Sequence, residues 1–306
     1  MKKNKILIIL LLVITLTGCT KSLTKDNKAV INPTTGQSLT QNILCKPKDS
    51  ETIKIYEENK DKVDISKLPE CKDFKVTSGG YEGLWTTIIV KPLAWLILKL
   101  GTIVKNYGLG LIIVSLLIRL VAFPLTQKTA VQSEMMKNAK PELDKLEKKY
   151  KDKTDQESLM KKNQEMMAIY KKYKINPVSG CLFSLIQLPL FIGFLEAINR
   201  VPAIFEEKLL FFQLGTTPKT ALFNGQIVYI LLIAVVAVTT YYSFKLNATA
   251  MNNNDQSKTM SRIMVIMITV MGFVMTSALN IYWITTNLFT IVQNILVKRG
   301  NKNGKK

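Results

Sequence analysis

The sequence predicts an all-α integral membrane protein with five transmembrane helices, an outer interfacial amphipathic helix and a cytoplasmic helical hairpin. Three observations lead to this prediction. Of the 306 residues, 47% are hydrophobic and they are grouped in long blocks, although the formal net charge is +20. The lysines are concentrated in particular loops between those blocks. Finally, the longest of these loops carries apolar residues at helical spacing.

The residue types limit the classes of enzyme and metal site that the protein could contain. The sequence contains no histidine, which excludes Ser–His and Cys–His hydrolases and most zinc sites. An intramembrane enzyme would then need a Ser–Lys or paired-Asp site, but the apolar blocks contain no Asp or Lys, and Glu196 stands alone near one end of a block. We therefore expect a protein that is not an enzyme and that uses no metal or cofactor.

The amino terminus has the pattern of a processing signal. Lys2, Lys3 and Lys5 precede the apolar run 6–16, which is too short to span a bilayer comfortably. The next letters, LTGC, resemble the bacterial lipobox and end at Cys19. We expect residues 1–18 to be a lipoprotein signal peptide and Cys19 to carry a lipid. The alternative is an ordinary signal peptide or uncleaved anchor with a chance cysteine.

Residues 19–80 are polar and rich in Lys, Asp, Thr and Asn. We expect them to lie outside the cell as a tether or a small subdomain, partly disordered. The segment contains Cys45 and Cys71. Outside the cytoplasm these two form a disulfide or remain free thiols, and their spacing does not decide between the two. We favour the disulfide.

Residues 81–106 contain the outer amphipathic helix, at about 84–105. Trp85, Trp95 and Lys99 lie among aliphatic residues here, a mixture typical of the water–lipid interface. The alternative is a transmembrane helix, which would bury Lys99 without an evident partner.

Five apolar segments in the core, residues 107–297, are long enough to cross a hydrocarbon layer about 30 Å thick. They are 107–124, 178–198, 226–244, 262–278 and 281–297. Almost nothing separates the last two, so a tight hairpin is expected near Leu279 and Asn280.

The placement of basic residues predicts the orientation of these spans. The loop 125–176 holds thirteen lysines, and the tail 298–306 holds five Lys or Arg. The loop 199–225 holds only three basic residues. The positive-inside rule therefore places the first loop and the tail in the cytoplasm. This agrees with an exported amino terminus.

The loop 125–176 is predicted to form a helical hairpin. Apolar residues recur at spacings of three and four in both halves, which favours two helices packed side by side. These residues are Met135, Ala139, Leu143, Leu146 and Tyr150 in the first half, and Leu159, Met166, Tyr170 and Tyr173 in the second. Thr154 and Glu157 have capping-box spacing at the turn, and Pro141 is expected to bend the first helix.

Several motifs together resemble the YidC/Oxa/Alb family of membrane protein insertases. They are LLIRLVAFPLTQKTAVQSEMM, INPVSGCLFSLIQLPLF and ALNIYWITTNLFTIVQNILVKR, in this order. The resemblance covers about residues 84–299, and the lipoprotein start resembles the Gram-positive type. It implies a helix bundle around a hydrophilic groove that is open to the cytoplasm and to lipid. A client's hydrophilic end would enter the groove while its apolar segment moves into the bilayer.

The residues support a groove independently, because three spans carry polar or small side chains along one helical face. The first has Ser115, Arg119, Ala122 and Thr126; the second has Gly180, Ser184, Gln187 and Phe191; the fifth has Trp283, Asn287, Thr290 and Asn294. Polar side chains inside a membrane usually face a bundle interior or a water-filled cavity. Our candidate groove residues are Arg119, Ser115, Gln187, Ser184, Trp283, Asn287 and Thr290.

Each key residue also has a simpler interpretation. Arg119 lies five residues before Pro124, so its side chain could snorkel to the cytoplasmic headgroups. Gln187 could make an ordinary interhelical hydrogen bond, and Trp283 could be an interfacial anchor.

The resemblance also implies the setting in which the protein works. We expect a multi-pass protein of the bacterial cell membrane, with a lipid-anchored amino terminus outside and the carboxyl terminus in the cytoplasm. Its expected partners are nascent membrane-protein clients and lipids, with the ribosome, the signal recognition particle receptor and the Sec translocon as candidates, and no DNA. The alternative function is a small-solute or ion transporter, although the internal repeats and broken helices of transporters are not evident.

Overall fold

The computed structural model describes residues 20–176, 178–247 and 255–303, and it is mostly helical. Its described strands form two short antiparallel hairpins, in which Thr24 pairs with Ala29 and Lys208 with Gln213. The elements are β1 (Thr24–Lys25), β2 (Lys28–Ala29), α1 (Ser50–Glu57), α2 (Lys91–Ile103), α3 (Tyr107–Lys149), α4 (Gln156–Lys172), α5 (Val178–Asn199), α6 (Pro202–Phe205), β3 (Lys208–Leu209), β4 (Phe212–Gln213), α7 (Pro218–Phe223), α8 (Val228–Asn247), α9 (Asp255–Val274) and α10 (Ser277–Asn303).

The chain divides into two compact units. The described residues of the first unit lie in 20–117, 188–236 and 270–285. Those of the second lie in 118–187, 237–269 and 286–303. The signal peptide and lipidation site, including Cys19, lie outside the described residues.

In the first unit, residues 20–80 form a folded subdomain rather than an extended tether. Its apolar core consists of Leu23, Leu39, Ile43, Tyr56, Val63 and Ile65. A disulfide joins Cys45 to Cys71. Backbone hydrogen bonds connect the subdomain to the loop after α5, from Leu44 to Arg200 at 2.8 Å and from Thr217 to Thr35 at 2.9 Å. These apolar and covalent links explain why a polar sequence is ordered here.

A π-helical turn, Thr86–Val90, directly precedes α2. One face of α2 is buried, through Lys91, Leu93, Ala94, Ile97, Leu98 and Gly101, while Trp95 and Lys99 are exposed. This two-faced pattern suits an interfacial helix. Nevertheless, Thr86–Ile103 is also long and apolar enough to cross a membrane, so length and composition fit both interpretations.

Among the described residues, three helical stretches are long and apolar enough to span a bilayer: Thr86–Ile103, Tyr107–Pro124 and Val228–Leu246. The second is the start of α3, which continues through Pro124 and Pro141 for 43 residues. At 1.5 Å per residue α3 is about 65 Å long, twice the hydrocarbon thickness of about 30 Å. The predicted first span and the first arm of the hairpin are therefore one helix.

In the second unit, the end of α3 and α4 form the predicted helical hairpin. Met136, Ala139, Tyr170 and Ile175 form its buried cluster, with Met135, Leu143, Met166, Ile169 and Tyr173 packed against it. Most of the predicted stripe residues take part, but Leu159 is exposed. The predicted Thr154 cap is wrong: the Asp155 side chain accepts from the Ser158 amide at 2.8 Å and caps α4. Aspartate is as good an N-cap as threonine, so sequence spacing alone misplaced the cap by one residue.

The junction between α9 and α10 lies at Met275 and Thr276, not at the predicted Leu279 and Asn280. Asn280 is already in the first turn of α10, and its Nδ2 donates to the carbonyls of Gly272 at 3.0 Å and Thr276 at 3.2 Å. An asparagine often marks a turn in sequence. Here its side chain instead satisfies carbonyls at the end of α9, which allows α10 to begin earlier.

Candidate functional site

Arg119 lies on α3 in the second unit, and only 7% of it is exposed. Thr126, seven residues later and therefore on the same side of the helix, is buried as well. A guanidinium keeps its charge when buried, because its pKa is far above neutral. The interior of this unit therefore holds a fixed positive charge.

Hydrogen bonding joins α3 to α10 on this side. Gln293 Nε2 donates to Thr126 Oγ1 at 2.7 Å, and both side chains are buried. The rings of Phe123 and Phe289 meet edge to face, with centroids 6.5 Å apart. Gln293 was not among the predicted residues, although it lies three residues after Thr290 and therefore near the same helical face.

A second hydrogen bond joins α8 to α10. Asn287 Nδ2 donates to Thr240 Oγ1 at 2.9 Å. Thr239, Thr240 and Ser243 on α8 are all buried, and the sequence analysis missed them. The signal was the run VTTYYSF near the end of the third span, in which hydroxyl residues recur at spacings of three and four.

The second unit therefore has a polar interior built from three helices. Its buried polar side chains are Arg119 and Thr126 on α3, Thr239, Thr240 and Ser243 on α8, and Thr286, Thr290 and Gln293 on α10. Some hydroxyls are satisfied locally, as Thr290 Oγ1 donates to the Thr286 carbonyl at 2.9 Å. Such a hydroxyl still has acceptor capacity for water or a passing polar group, which makes the interior hydrophilic without leaving donors unsatisfied.

The predicted groove residues are divided between the two units. Arg119, Ser184, Gln187, Asn287 and Thr290 belong to the second unit, and Ser115 and Trp283 to the first. Gln187 is half-buried, whereas the side chain of Ser184 lies outside the described part of the chain.

The two predicted residues in the first unit have local contacts. Ser115 is buried, and its Oγ donates to the Leu111 carbonyl at 2.7 Å. Trp283 is half-buried and stacks on Phe191, with ring centroids 5.7 Å apart and planes 3° apart.

The first unit also contains a buried ionic cluster, and it corrects the expectation that Glu196 stands alone. Glu196 is buried and its Oε1 accepts from Trp85 Nε1 at 3.0 Å. One turn further, the buried Arg200 forms an ion pair with Glu82. Glu82 also pairs with the fully buried Lys91, at 3.1 Å between Oε1 and Nζ. Because the charges come from distant parts of the sequence, only the fold brings them together.

Two reciprocal polar clamps hold the arms of the helical hairpin together. Glu165 on α4 accepts from Lys149 at 2.7 Å and from Tyr150 at 2.8 Å. Glu142 on α3 accepts from Lys172 at 2.5 Å and from Tyr173 at 2.8 Å. The hydrogen bonds from lysine and then tyrosine hold the pKa of each carboxyl below its ordinary value. The clamps therefore favour two ionised glutamates on an otherwise basic hairpin.

Within residues 20–176, 178–247 and 255–303, no group of three or more Cys, Asp or Glu side chains could hold a metal ion. The fold and the buried polar side chains on α3, α8 and α10 thus define a helical membrane protein with a hydrophilic region inside its second unit.

Comparison with known proteins identifies the family. Residues 99–305 match the family described as "60Kd inner membrane protein". The membrane protein insertase YidC of Oceanobacillus iheyensis is 38% identical over 226 residues, which is 71% of this chain and 85% of that protein. The insertase MisCA of Bacillus subtilis is 39% identical over 216 residues, or 70% of this chain and 79% of that protein. The chain therefore belongs to the YidC family of membrane protein insertases.

A solved structure shares the fold. The crystal structure titled "Active YidC insertase crystal structure with the first transmembrane domain resolved" aligns with a TM-score of 0.51 at 24% identity. The alignment covers 79% of this chain and 52% of that one, so this chain spans about half the length of that structure.

Proposed function

We propose that this protein is a membrane insertase in which the polar interior around Arg119 is a groove for the hydrophilic end of a client protein. The groove is open to the cytoplasm, and the client's apolar segment leaves it sideways into the bilayer. The observation that carries this proposal is the set of buried polar side chains on α3, α8 and α10 of the second unit. The function printed for the relatives, membrane protein insertase, agrees with it.

The groove lowers the cost of moving polar groups part of the way across a membrane. An unsatisfied backbone polar group in hydrocarbon costs several kcal/mol, and a charged side chain costs about 2.5 kcal/mol or more. Hydroxyl and amide side chains, with the water they hold, replace part of the lost hydration. Arg119 adds a fixed positive charge that attracts carboxylates in the translocated end of the client. No covalent chemistry is required.

The client's apolar segment does not need polar side chains to replace hydration. Hydrocarbon solvates it better than the polar interior does, so it partitions into lipid once it is long enough to span. This difference in solvation gives the direction of the process: the polar end is held in the groove while the apolar segment is released.

The same proposal includes the topology. With α3 crossing from outside to inside, residues 20–80 and the loop 199–225 lie outside, and the hairpin of α3 and α4 lies in the cytoplasm with the tail 298–306. The lysine distribution supports this orientation. Lipidation of Cys19 would anchor the outer subdomain to the same membrane.

The hairpin is the proposed docking element for cytoplasmic partners. Its exposed surface is rich in lysine, and a basic surface suits the ribosome, whose RNA is anionic. The signal recognition particle receptor and the Sec translocon remain further candidates for this surface.

Reconstitution tests the proposed function. The purified chain in liposomes should insert a short single-span client, so that a protease outside the vesicle no longer cuts the translocated end. Empty liposomes give the background. If client protection equals that background while the protein remains folded, the insertase proposal is wrong.

A further inference from the structure

The β3–β4 hairpin in the first unit ends in an unusual turn. Lys208 pairs with Gln213 and Leu209 with Phe212, which leaves Leu210 and Phe211 as the two turn residues. Two-residue hairpin turns normally use Asn, Asp or Gly, because at least one position needs a positive φ. Here Leu210 adopts that conformation, with φ +54°. A leucine in the left-handed region is strained.

The same two side chains are also almost fully exposed. Leu210 is 82% exposed and Phe211 is 78% exposed. Nearby in sequence, Phe223 at the end of α7 is 82% exposed, and Ile227 just before α8 is 70% exposed. We call these four residues the apolar edge. If the apolar edge faced only water, the backbone strain at Leu210 and the exposure of four large apolar side chains would both cost free energy.

The contacts of the hairpin place its tip beside the start of a membrane-spanning helix. Phe212 packs edge to face on Tyr229, with ring centroids 5.3 Å apart. The Gln213 amide donates to the Tyr229 hydroxyl at 3.0 Å. Tyr229 is the second residue of α8, whose stretch Val228–Leu246 is apolar and long enough to span. One extended residue covers about 3.3 Å, so Phe211 lies close to the boundary where α8 enters lipid.

The charges around the tip fit the same boundary. Lys208 precedes the tip and Lys219 lies on α7, and both are exposed. Exposed lysines beside exposed aliphatic and aromatic side chains are typical of segments that lie in the headgroup region. The cations would meet anionic headgroups while the apolar side chains enter the acyl chains.

From these observations we infer that the apolar edge inserts into the lipid leaflet around the start of α8, which is the outer leaflet in the proposed topology. Lipid removes the exposed side chains from water, and this offsets the strain at Leu210. The edge thereby fixes the loop 199–227, and the subdomain bonded to it, at the membrane surface. The inference depends on α8 crossing the membrane and not on the insertase function.

Depth-dependent quenching of tryptophan fluorescence tests the inference. Full-length Phe211→Trp and Phe223→Trp proteins are placed in phosphatidylcholine–phosphatidylglycerol vesicles with or without brominated acyl chains. The wild type supplies the background of its three tryptophans. The matched control is Leu159→Trp on the hairpin helix α4, where a leucine is likewise exposed but no membrane contact is expected.

We expect brominated lipid to quench the emission added by either edge variant at least about twofold more than that of the control. Aqueous iodide should show the opposite order. Quenching of both edge variants by iodide and not by brominated lipid would place the edge in water and overturn the inference. Protection from both quenchers would mean that protein covers the edge, which would also overturn it. Because Phe223 is independent of the hairpin tip, the test survives if Phe211→Trp alone disturbs the turn.

Discussion

Gln293 and Thr126 form the clearest polar contact inside the second unit. Their side chains are buried and 2.7 Å apart. In a membrane, an interhelical hydrogen bond of this kind is worth about 0.6 kcal/mol on average and up to about 1.7 kcal/mol. The contact is therefore a modest contribution to stability, and it also fixes the register between α3 and α10.

Gln293→Leu should lower the free energy of unfolding by about 0.5–1.5 kcal/mol, because it removes the interhelical hydrogen bond to the Thr126 hydroxyl. Thr126→Val in the Gln293→Leu background should then cost much less than Thr126→Val alone. Unfolding of the four proteins in mixed micelles gives the coupling energy.

The exposed Gln127 on α3 supplies the matched control. Gln127→Leu should change stability by less than about 0.5 kcal/mol. Strictly additive losses for Gln293→Leu and Thr126→Val would show that the hydrogen bond does not form in the membrane.

Among single residues, helical periodicity in the sequence identified only those polar side chains that recur at spacings of three and four. Arg119, Asn287 and Thr290 were predicted because each lies on a polar stripe, and all three belong to the second unit. Gln293 was missed because the predicted stripe continued from Thr290 to Asn294, four residues later. The hydroxyls of α8 were missed because threonine is common in apolar helices. The Glu82 ion pairs could not be predicted, since their partners are far apart in sequence and only tertiary packing joins them.

The helical hairpin is the element in which charge and packing can be separated most easily. An apolar cluster holds the arms together near the base, and the Glu165 and Glu142 clamps add polar contacts between them. Both carboxylates are half-exposed and titratable, so the clamps should respond to pH, whereas the apolar cluster should not.

Acid should loosen the clamps. The pKa of Glu142 and of Glu165 is lowered in the folded hairpin, first by the hydrogen bond from lysine and next by that from tyrosine. A lowered pKa means that the stabilisation is complete above the unfolded value of about 4.3 and is lost as the pH falls through the folded value. Amide hydrogen exchange near residues 142–149 and 165–172, corrected for intrinsic rates, should therefore accelerate as the pH falls below the unfolded pKa of about 4.3.

The double variant Glu142→Gln and Glu165→Gln is the control for this pH effect. Its arms should exchange faster at neutral pH and show little further change in acid. If the wild-type arms open equally at pH 7 and pH 3, the clamps contribute nothing to the hairpin.

A truncation tests whether the hairpin docks partners. Replacing residues 147–162 by a short glycine–serine linker removes the outer part of both arms, including the donors of the Glu165 clamp. It keeps the apolar cluster and the Glu142 clamp, and exposed ion pairs contribute little to stability. We expect thermal unfolding to be nearly unchanged and client insertion from ribosome-bound chains to fall. Undiminished insertion by the truncated protein would refute the docking role.

The sequence predicted the helices well and their ends less well. Long apolar runs and stripes at spacings of three and four identified α3, α4, α5, α8, α9 and α10. It did not predict that α3 continues past residue 124 into the hairpin, because the apolar run that defined the first span ends there. The Cys45–Cys71 disulfide was favoured from the sequence and is present. The fold of residues 20–80 was beyond reach, since its core comes from scattered apolar residues.

At the scale of the whole molecule, the chain combines an ordered subdomain at residues 20–80, apolar helices and a basic helical hairpin. The proposed topology requires the amino terminus to be exported. If Cys19 is its lipidated first residue, mass spectrometry of the purified protein should show residues 1–18 missing and a lipid adduct on the new terminus. A mature protein that retains Met1 would contradict this. Cys19→Ser supplies the comparison, and it should retain the leader.

The central claim is that Arg119 acts through its positive charge on the client. Arg119→Ala should impair insertion, most strongly for clients with acidic external segments. Arg119→Lys should retain much of the activity, since the charge remains although the planar fork is lost. Arg262 on α9, an exposed arginine in the same unit, provides the matched control, and Arg262→Ala should insert clients normally.

The most direct measurement is the insertion rate of a single-span client whose external acidic residues are neutralised one by one, in wild type and in Arg119→Ala. One carboxylate attracted with about 1 kcal/mol changes a rate about fivefold. We predict that the deficit of Arg119→Ala is largest for the fully acidic client and shrinks as each carboxylate is removed. If Arg119→Ala inserts every client at the wild-type rate, Arg119 is only a snorkelling residue and the groove mechanism is wrong for this protein.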